Sequence, residues 1–153
     1  MPIRKPTAVL TAVLIALAGV APVRAAGTDT PTVVKESPLA QAKKLVDAKD
    51  YGAAVPLLWK IVAAEPGNAN ANAFNWLGYS LRKGGDFAAA ETAYGKALAI
   101  DPAHKGALEY LGELYVETKR PEKARELLAR LQAVCPGGCE ELDDLKKALG
   151  AGN

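Results

Sequence analysis

Between Ala71 and His104 the apolar positions fall at helical spacing twice over. Phe74, Leu77 and Leu81 recur three and four residues apart and so share one helix face; after Gly84-Gly85-Asp86 the period resumes with Phe87, Ala90, Tyr94 and Ala97. The interruption has the chemistry of a turn: glycines release the first helix, and the Asp86 carboxylate can accept from the first free N–H groups of the second. Pro102 closes the unit. Gly78 and Ala90 carry almost no side chain, which lets the two helices of this unit approach closely.

The same order of positions returns from Lys105 to Gly138 with Leu108, Leu111, Gly112, Tyr115, Ala124, Leu128 and Pro136. Here Arg120 stands in the capping slot, and Pro121 presets the first turn in its place. A looser copy runs from Lys35 to Asn68. Ser37 caps a short helix with Pro38 at its first position, Leu39, Ala42, Leu45 and Val46 line its face to about Ala48, and Asp50 opens a second helix carrying Tyr51, Ala54, Leu57, Leu58 and Ile61. Pro56 lies inside that helix, where it is expected to cost a hydrogen bond or to kink it. Pro66 and Pro102 are 36 residues apart and Pro102 and Pro136 are 34 apart, so two residues, about Ala69-Asn70, are inserted between the first units. After the third unit, Cys139 to Leu149 forms one more amphipathic helix, with Glu140 and Glu141 in its first turn, Lys146 and Lys147 in its last, and Leu142, Leu145 and Leu149 along one stripe. Gly150-Ala151-Gly152-Asn153 is expected to stop it. The fold class is therefore all-α: about three helix pairs (35–68, 71–104, 105–138) and a capping helix (139–149), together a domain over residues 37–149.

Phe74, Leu77-Gly78, Leu81, Ala90, Tyr94 and Pro102 fill the slots of the W-x2-L-G-x2-Y, A-x3-F, P pattern, and the unit length agrees. On these residues the chain resembles the tetratricopeptide repeat (TPR) family, whose helix pairs stack into a solenoid. The first unit departs from the pattern, with Pro38 and Gln41 in bulky slots, as a terminal repeat is expected to. The resemblance implies a non-enzymatic adaptor or scaffold that binds a protein or peptide segment in a concave groove lined by the first helices. Carried over position by position, the groove residues are Asn72, Asn75, Tyr79, Arg82 and Lys83 in the central unit. In the third unit they are Gly106, Glu109, Glu113, Val116 and Glu117, and in the first Leu39, Lys43, Val46 and Asp47, while Trp76 and Tyr110 flank the groove. The basic and amide residues with which chaperone-binding members clamp a C-terminal carboxylate are not reproduced, since Leu39, Trp76, Gly106 and Tyr110 stand there.

Each of these residues also has a purely structural reading. Glu109, Glu113 and Glu117, four residues apart, could be a solvated helix face; Arg82 could neutralise Glu113 across neighbouring helices; Trp76 and Tyr110 could pack between units.

The N-terminus has a different character. Arg4 and Lys5 precede an uncharged run from Pro6 to Val23, and Val23-Arg24-Ala25 offers modest side chains at the positions a signal peptidase reads. Residues 1–25 are therefore expected to be a secretory signal peptide, and 26–36 a flexible linker. The alternative is an uncleaved N-terminal helix that anchors the chain. The formal charge of +2, from 19 Lys and Arg against 17 Asp and Glu, then loses its meaning. Arg4, Lys5 and Arg24 leave with the leader, and the mature chain is near neutral, which gives no basis for nucleic-acid binding. Localisation is expected to be periplasmic or secreted, with no stable membrane insertion after cleavage.

Catalytic chemistry finds little to work with. His104 is the single histidine, placed in the turn Asp101-Pro102-Ala103-His104-Lys105, and with two cysteines it cannot complete a structural zinc site without carboxylates. No catalytic residue, metal or cofactor is expected. Cys135-Pro-Gly-Gly-Cys139 is the other unusual feature. Two thiols flanking a pliable turn tend to pair in an oxidising compartment, which gives a structural disulfide clip; the alternative is a thiol-redox pair, although the spacing is one residue longer than C-x-x-C. The stretch Cys135 to Leu145 also resembles the tail of small exported bacterial TPR proteins. Three functions stay open: a binding adaptor, a thiol-redox protein, and a purely structural assembly component.

Overall fold

A computed structural model of the chain describes residues 36–64 and 70–151. The expected signal peptide and linker, except Glu36, and the inserted Ala69 lie outside those residues. Among the described residues there are seven helices and no strand: α1 (Pro38–Asp47), α2 (Tyr51–Ala64), α3 (Ala71–Lys83), α4 (Phe87–Ile100), α5 (Lys105–Glu117), α6 (Pro121–Val134) and α7 (Glu140–Ala151). The helix-pair reading of the sequence holds throughout.

Each pair is closed by the same turn. In the first, Asp50 N–H donates to Leu45 O and Lys49 N–H to Val46 O, both at 2.9 Å; the second repeats this with Asp86 to Leu81 and Gly85 to Arg82, the third with Arg120 to Tyr115 and Lys119 to Val116. This is the pattern of a helix ended by one left-handed residue. That residue is Lys49 (φ 60°), Gly85 (φ 87°) or Lys119 (φ 61°), so glycine fills the slot only in the central pair. The next residue then opens the following helix: Asp50 Oδ1 accepts from Ala53 N–H at 3.1 Å and Asp86 Oδ1 from Ala89 N–H at 3.0 Å. Arg120 makes no such bond, as its side chain requires, and instead pairs with Glu91 at 2.8 Å.

Helix α2 runs without a break through Pro56, which occupies its second turn; of the two expected outcomes the lost hydrogen bond is the one met, since Pro56 removes the N–H that would have reached Gly52 O. Helix α7 runs to Ala151, two residues beyond its expected end at Leu149, because a single glycine weakens a helix without ending it.

The core is a row of side chains from successive helices, with Leu58, Leu77, Tyr94, Leu108, Leu114, Leu131 and Leu145 of α2 to α7 all fully buried. The small residues decide how closely the helices pack. A Cβ on Gly78 would lie 2.7 Å from the Tyr94 ring, so the ring of α4 rests directly on the backbone of α3. Gly112 holds the same place in the third unit, but there the intruding atoms belong to Leu145 of α7, at 2.6 Å. Leu128, the sequence counterpart of Tyr94, is only half-buried. Helix α7 packs on both α5 and α6, and so supplies core as well as cover. Cys135 and Cys139 form a disulfide across the α6–α7 turn, with their Cα atoms 5.9 Å apart.

Consecutive first helices touch one another, α1 with α3 and α3 with α5, whereas α2, α4 and α6 make no such mutual contacts. The array therefore curves with the first helices inside. Helix α7 follows α5 in that inner row.

Substitution of Gly78 by Ala should destabilise the fold by roughly 1–3 kcal/mol, because the Tyr94 ring has no room to retreat. Gly95, in the middle of α4 with open space around its Cα, should behave in the opposite way, Gly95→Ala adding about 0.5–1 kcal/mol. Urea unfolding of both variants checks the pair, and equal effects would remove the close-packing account of Gly78.

Candidate functional site

The inner face carries a strip of aromatic rings. Tyr79 is its hub, with ring centroids 6.0 Å from Tyr51, 6.1 Å from Trp76 and 4.9 Å from Tyr110. Tyr110 in turn lies 6.4 Å from the buried Tyr94. The strip thus crosses from the first unit to the third and is anchored in the core. Trp76, Tyr79 and Tyr110 remain half-exposed, with rings that no further repeat covers. Burial pushes the Tyr110 hydroxyl well above the ordinary tyrosine range, with the carboxylate of Glu109 adding to it, so it is a neutral hydrogen-bonding group.

Arg82 lies between these rings. Its guanidinium carbon is 5.8 Å from both the Tyr79 and Tyr110 rings, and its nitrogens reach Glu113 Oε2 at 2.5 Å and Glu117 Oε1 at 3.1 Å. The Arg82 side chain is 1% exposed, against 25% for Glu113 and 44% for Glu117. The positive charge is therefore consumed inside the protein, binding α3 to α5, and a partner can reach only the carboxylate side of this network. Lys83 is exposed, with Nζ 5.3 Å from the Tyr79 ring. In the first unit Lys43 pairs with Asp47 at 2.7 Å and sits over the Trp76 ring at 5.3 Å, and Val46 is buried.

Toward α7 the groove deepens into a cavity of about 300 Å³. Asn75, Trp76, Glu109 and Tyr110 form its wall on α3 and α5, and Glu140, Glu141 and Asp144 form it on α7. Asn72 and His104 sit at its edge and are joined to each other: His104 Nδ1 accepts from Ala107 N–H at 3.1 Å, which leaves Nε2–H to donate to Asn72 Oδ1 at 3.0 Å. One imidazole thus caps α5 and ties it to α3. Gly106 lines the same cavity, and a Cβ there would come within 3.3 Å of Asn75 Nδ2.

Four carried-over groove residues are buried: Val46 and Arg82, together with Asn75, 3% exposed, and Glu109. Burial, with the nearby carboxylates of Glu113, Asp144 and Glu141 reinforcing it against Arg82, pushes the Glu109 carboxyl up to about 8. The structure therefore gathers Asn72, Asn75, Trp76, Glu109 and Tyr110 around one cavity and Tyr79, Arg82, Glu113 and Glu117 around one ion-pair network. Lys83 stands apart at the rim. The sequence reading missed Glu140, Glu141 and Asp144, because Glu140 and Glu141 were assigned to the helix dipole and Asp144 had no role. The signal that could have placed them is the 34-residue register, which puts Glu140 where Gly106 and Asn72 stand in the preceding units.

This geometry, a curved row of helix pairs with an aromatic and charged inner face, defines a helical-repeat scaffold. Two family models, both described as tetratricopeptide repeat, match residues 39–103 and 81–149. The chain belongs to the tetratricopeptide-repeat family. Among curated proteins it is similar to "Protein FlbA" of Caulobacter vibrioides, 32% identical over 124 residues that make up 81% of this chain and 20% of that protein. The chain thus spans about a fifth of the length of that relative. Among solved structures, the first TPR of Spaghetti (RPAP3) bound to the HSP90 peptide SRMEEVD superposes with a TM-score of 0.65 and 20% identity, covering 74% of this chain and 89% of that one. PcrH in complex with the chaperone binding region of PopB gives a TM-score of 0.62 and 15% identity, over 76% and 91%. At those identities the likeness is one of fold.

The raised Glu109 carboxyl predicts a pH-dependent stability. With a folded value near 8 against an ordinary 4.5, the unfolded chain gives up this proton first, so the associated stability is whole below about pH 4.5 and is lost as pH rises through 8. Glu109→Gln keeps the shape and removes the titration. Its Tm advantage over the parent should be small in acid and grow up to about pH 8; a difference that does not change with pH would contradict the assignment.

Proposed function

We propose that this protein is a non-enzymatic adaptor that binds a segment of a partner protein along the inner face of α1, α3, α5 and α7. The observation that carries the reading is the strip of half-exposed rings, Trp76, Tyr79 and Tyr110, held by the Arg82 network and backed by the buried Tyr94. Rigid aromatic anchors with a charged rim are the usual composition of a binding hot spot. Both fold neighbours are complexes with a bound segment, an HSP90 peptide in one and the chaperone binding region of PopB in the other, which supports the class of activity and leaves the partner here to be identified by its own chemistry.

We place the protein in the periplasm or outside the cell, supported by the basic start and uncharged run of the N-terminus together with the Cys135–Cys139 pair. In that reading the disulfide clips α7 onto the last helix pair. Cys135 is buried among the core residues, which favours the clip over a thiol that exchanges. Mass spectrometry of the unreduced exported protein should find the mature N-terminus at Ala26 and both cysteines linked. An intact leader or two alkylatable thiols would refute the corresponding half.

The groove itself is tested with the partner recovered by in-cell crosslinking. Trp76→Ala and Tyr79→Ala should each weaken binding by roughly 1–3 kcal/mol while circular dichroism stays helical. Unchanged affinity in both would move the site away from the inner face.

A further inference from the structure

The cavity between α3, α5 and α7 has one chemical character. Glu109, Glu140, Glu141 and Asp144 line it, and among the described residues none of these four carboxylates has an ion-pair partner. The nearest guanidinium, Arg82, is already held by Glu113 and Glu117. Lys146 is taken by Asp143, at 3.3 Å. A second observation is independent of the acidic residues. Asn75, 3% exposed, lines the cavity, and its Oδ1 has no hydrogen-bond partner. A buried amide oxygen without a donor is costly to leave unsatisfied, and a donor brought by a ligand would meet that need. The remaining wall is aromatic, from Trp76 and Tyr110.

Acceptors on two sides and ring walls on a third fit a planar cation rich in N–H groups. Among the described residues no group of three or more His, Cys, Asp or Glu side chains is placed to hold a metal ion, so the carboxylates are too dispersed for a metal and suit an extended organic cation. A guanidinium offers five donors in a fixed fork and stacks on aromatic faces, whereas an ammonium is a compact charge that does neither as well. The volume, about 300 Å³, is ample for one such side chain.

We propose that this cavity is a subsite for an arginine side chain of the bound partner segment, with its guanidinium set between the Trp76 and Tyr110 rings and donating to Asn75 Oδ1 and to the carboxylates of α5 and α7. The proposal rests on the groove reading above and gives that groove a polarity. The arginine lies at the α7 end, and the apolar part of the segment lies along Tyr79 toward α1. Glu109 supports the assignment, since a carboxyl held protonated by its burial and then by its carboxylate neighbours Glu113, Asp144 and Glu141, with Arg82 opposing them, ionises more readily when a further cation arrives. Binding should then release a proton and tighten as pH rises toward 8.

The test uses the full chain, labelled with nitrogen-15, and N-acetyl-argininamide as the probe. Its uncharged isostere N-acetyl-citrullinamide serves as the control. The argininamide should shift the Trp76 indole and Asn75 side-chain signals saturably, and the Glu141→Gln/Asp144→Asn double variant should weaken it about tenfold with the rest of the spectrum unchanged. Glu109→Gln should flatten the pH dependence of binding. Citrullinamide should leave the Trp76 and Asn75 signals in place. Equal shifts from citrullinamide, no saturable shift from argininamide, or full affinity in the double variant would each overturn the subsite. The two readings separate cleanly. A recovered partner that depends on Tyr79 but not on Glu141 and Asp144 keeps the groove and removes the arginine; saturable argininamide binding with a partner indifferent to Tyr79 keeps the subsite and removes the groove.

Discussion

The Arg82 guanidinium is the point at which fold and candidate function meet. It is buried from solvent, reaches from α3 to two carboxylates on α5, and lies beside the Tyr79 and Tyr110 rings. A charge in such a place is tolerated only when it is paired, and the pairing fixes the distance between the inner helices of two successive units. The aromatic strip inherits its spacing from that constraint. Because the cation is spent internally, the groove presents carboxylates and rings to the outside, and its chemistry follows from a structural requirement.

The turns that join the helices within each pair show the same economy. One residue position, Asp50, Asp86 or Arg120, satisfies a carbonyl of the helix behind it and opens the helix ahead. Where the side chain cannot cap, as at Arg120, the proline at the next position and the ion pair with Glu91 take over. Gly78 under Tyr94 and Gly112 under Leu145 set how closely the layers approach, and the second of these pairs makes α7 part of the core of the last unit.

The helices and their pairing were legible in the sequence because their causes are local: apolar residues three and four apart, a capping Asp, a glycine at a turn. Gly78 was readable for its size, although the identity of the ring above it depends on contact between helices. The Arg82–Glu113 contact was foreseen as one of two alternatives, and only the three-dimensional register of α3 against α5 decides for it. The cavity was beyond reach of a local reading. Its walls come from three helices, its orphan acceptor is on Asn75, and its edge is tied by a histidine that looked like an ordinary turn residue. Glu140, Glu141 and Asp144 carry no signal of their own; they become part of a site because α7 sits in the inner row. Helix α7 runs two residues past its expected end at Leu149 for the converse reason, since Gly150, a single local residue, does not outweigh a helix already packed on two others.

Adaptor function on the inner face depends on which side of the array a partner touches, and site-specific photocrosslinking in the producing cell measures that directly. A benzophenone side chain placed at Tyr79, on the inner strip, should give a discrete adduct with the partner, while the same group at Gly95, exposed on α4, should give none. An adduct from Gly95 and none from Tyr79 would contradict the inner-face site.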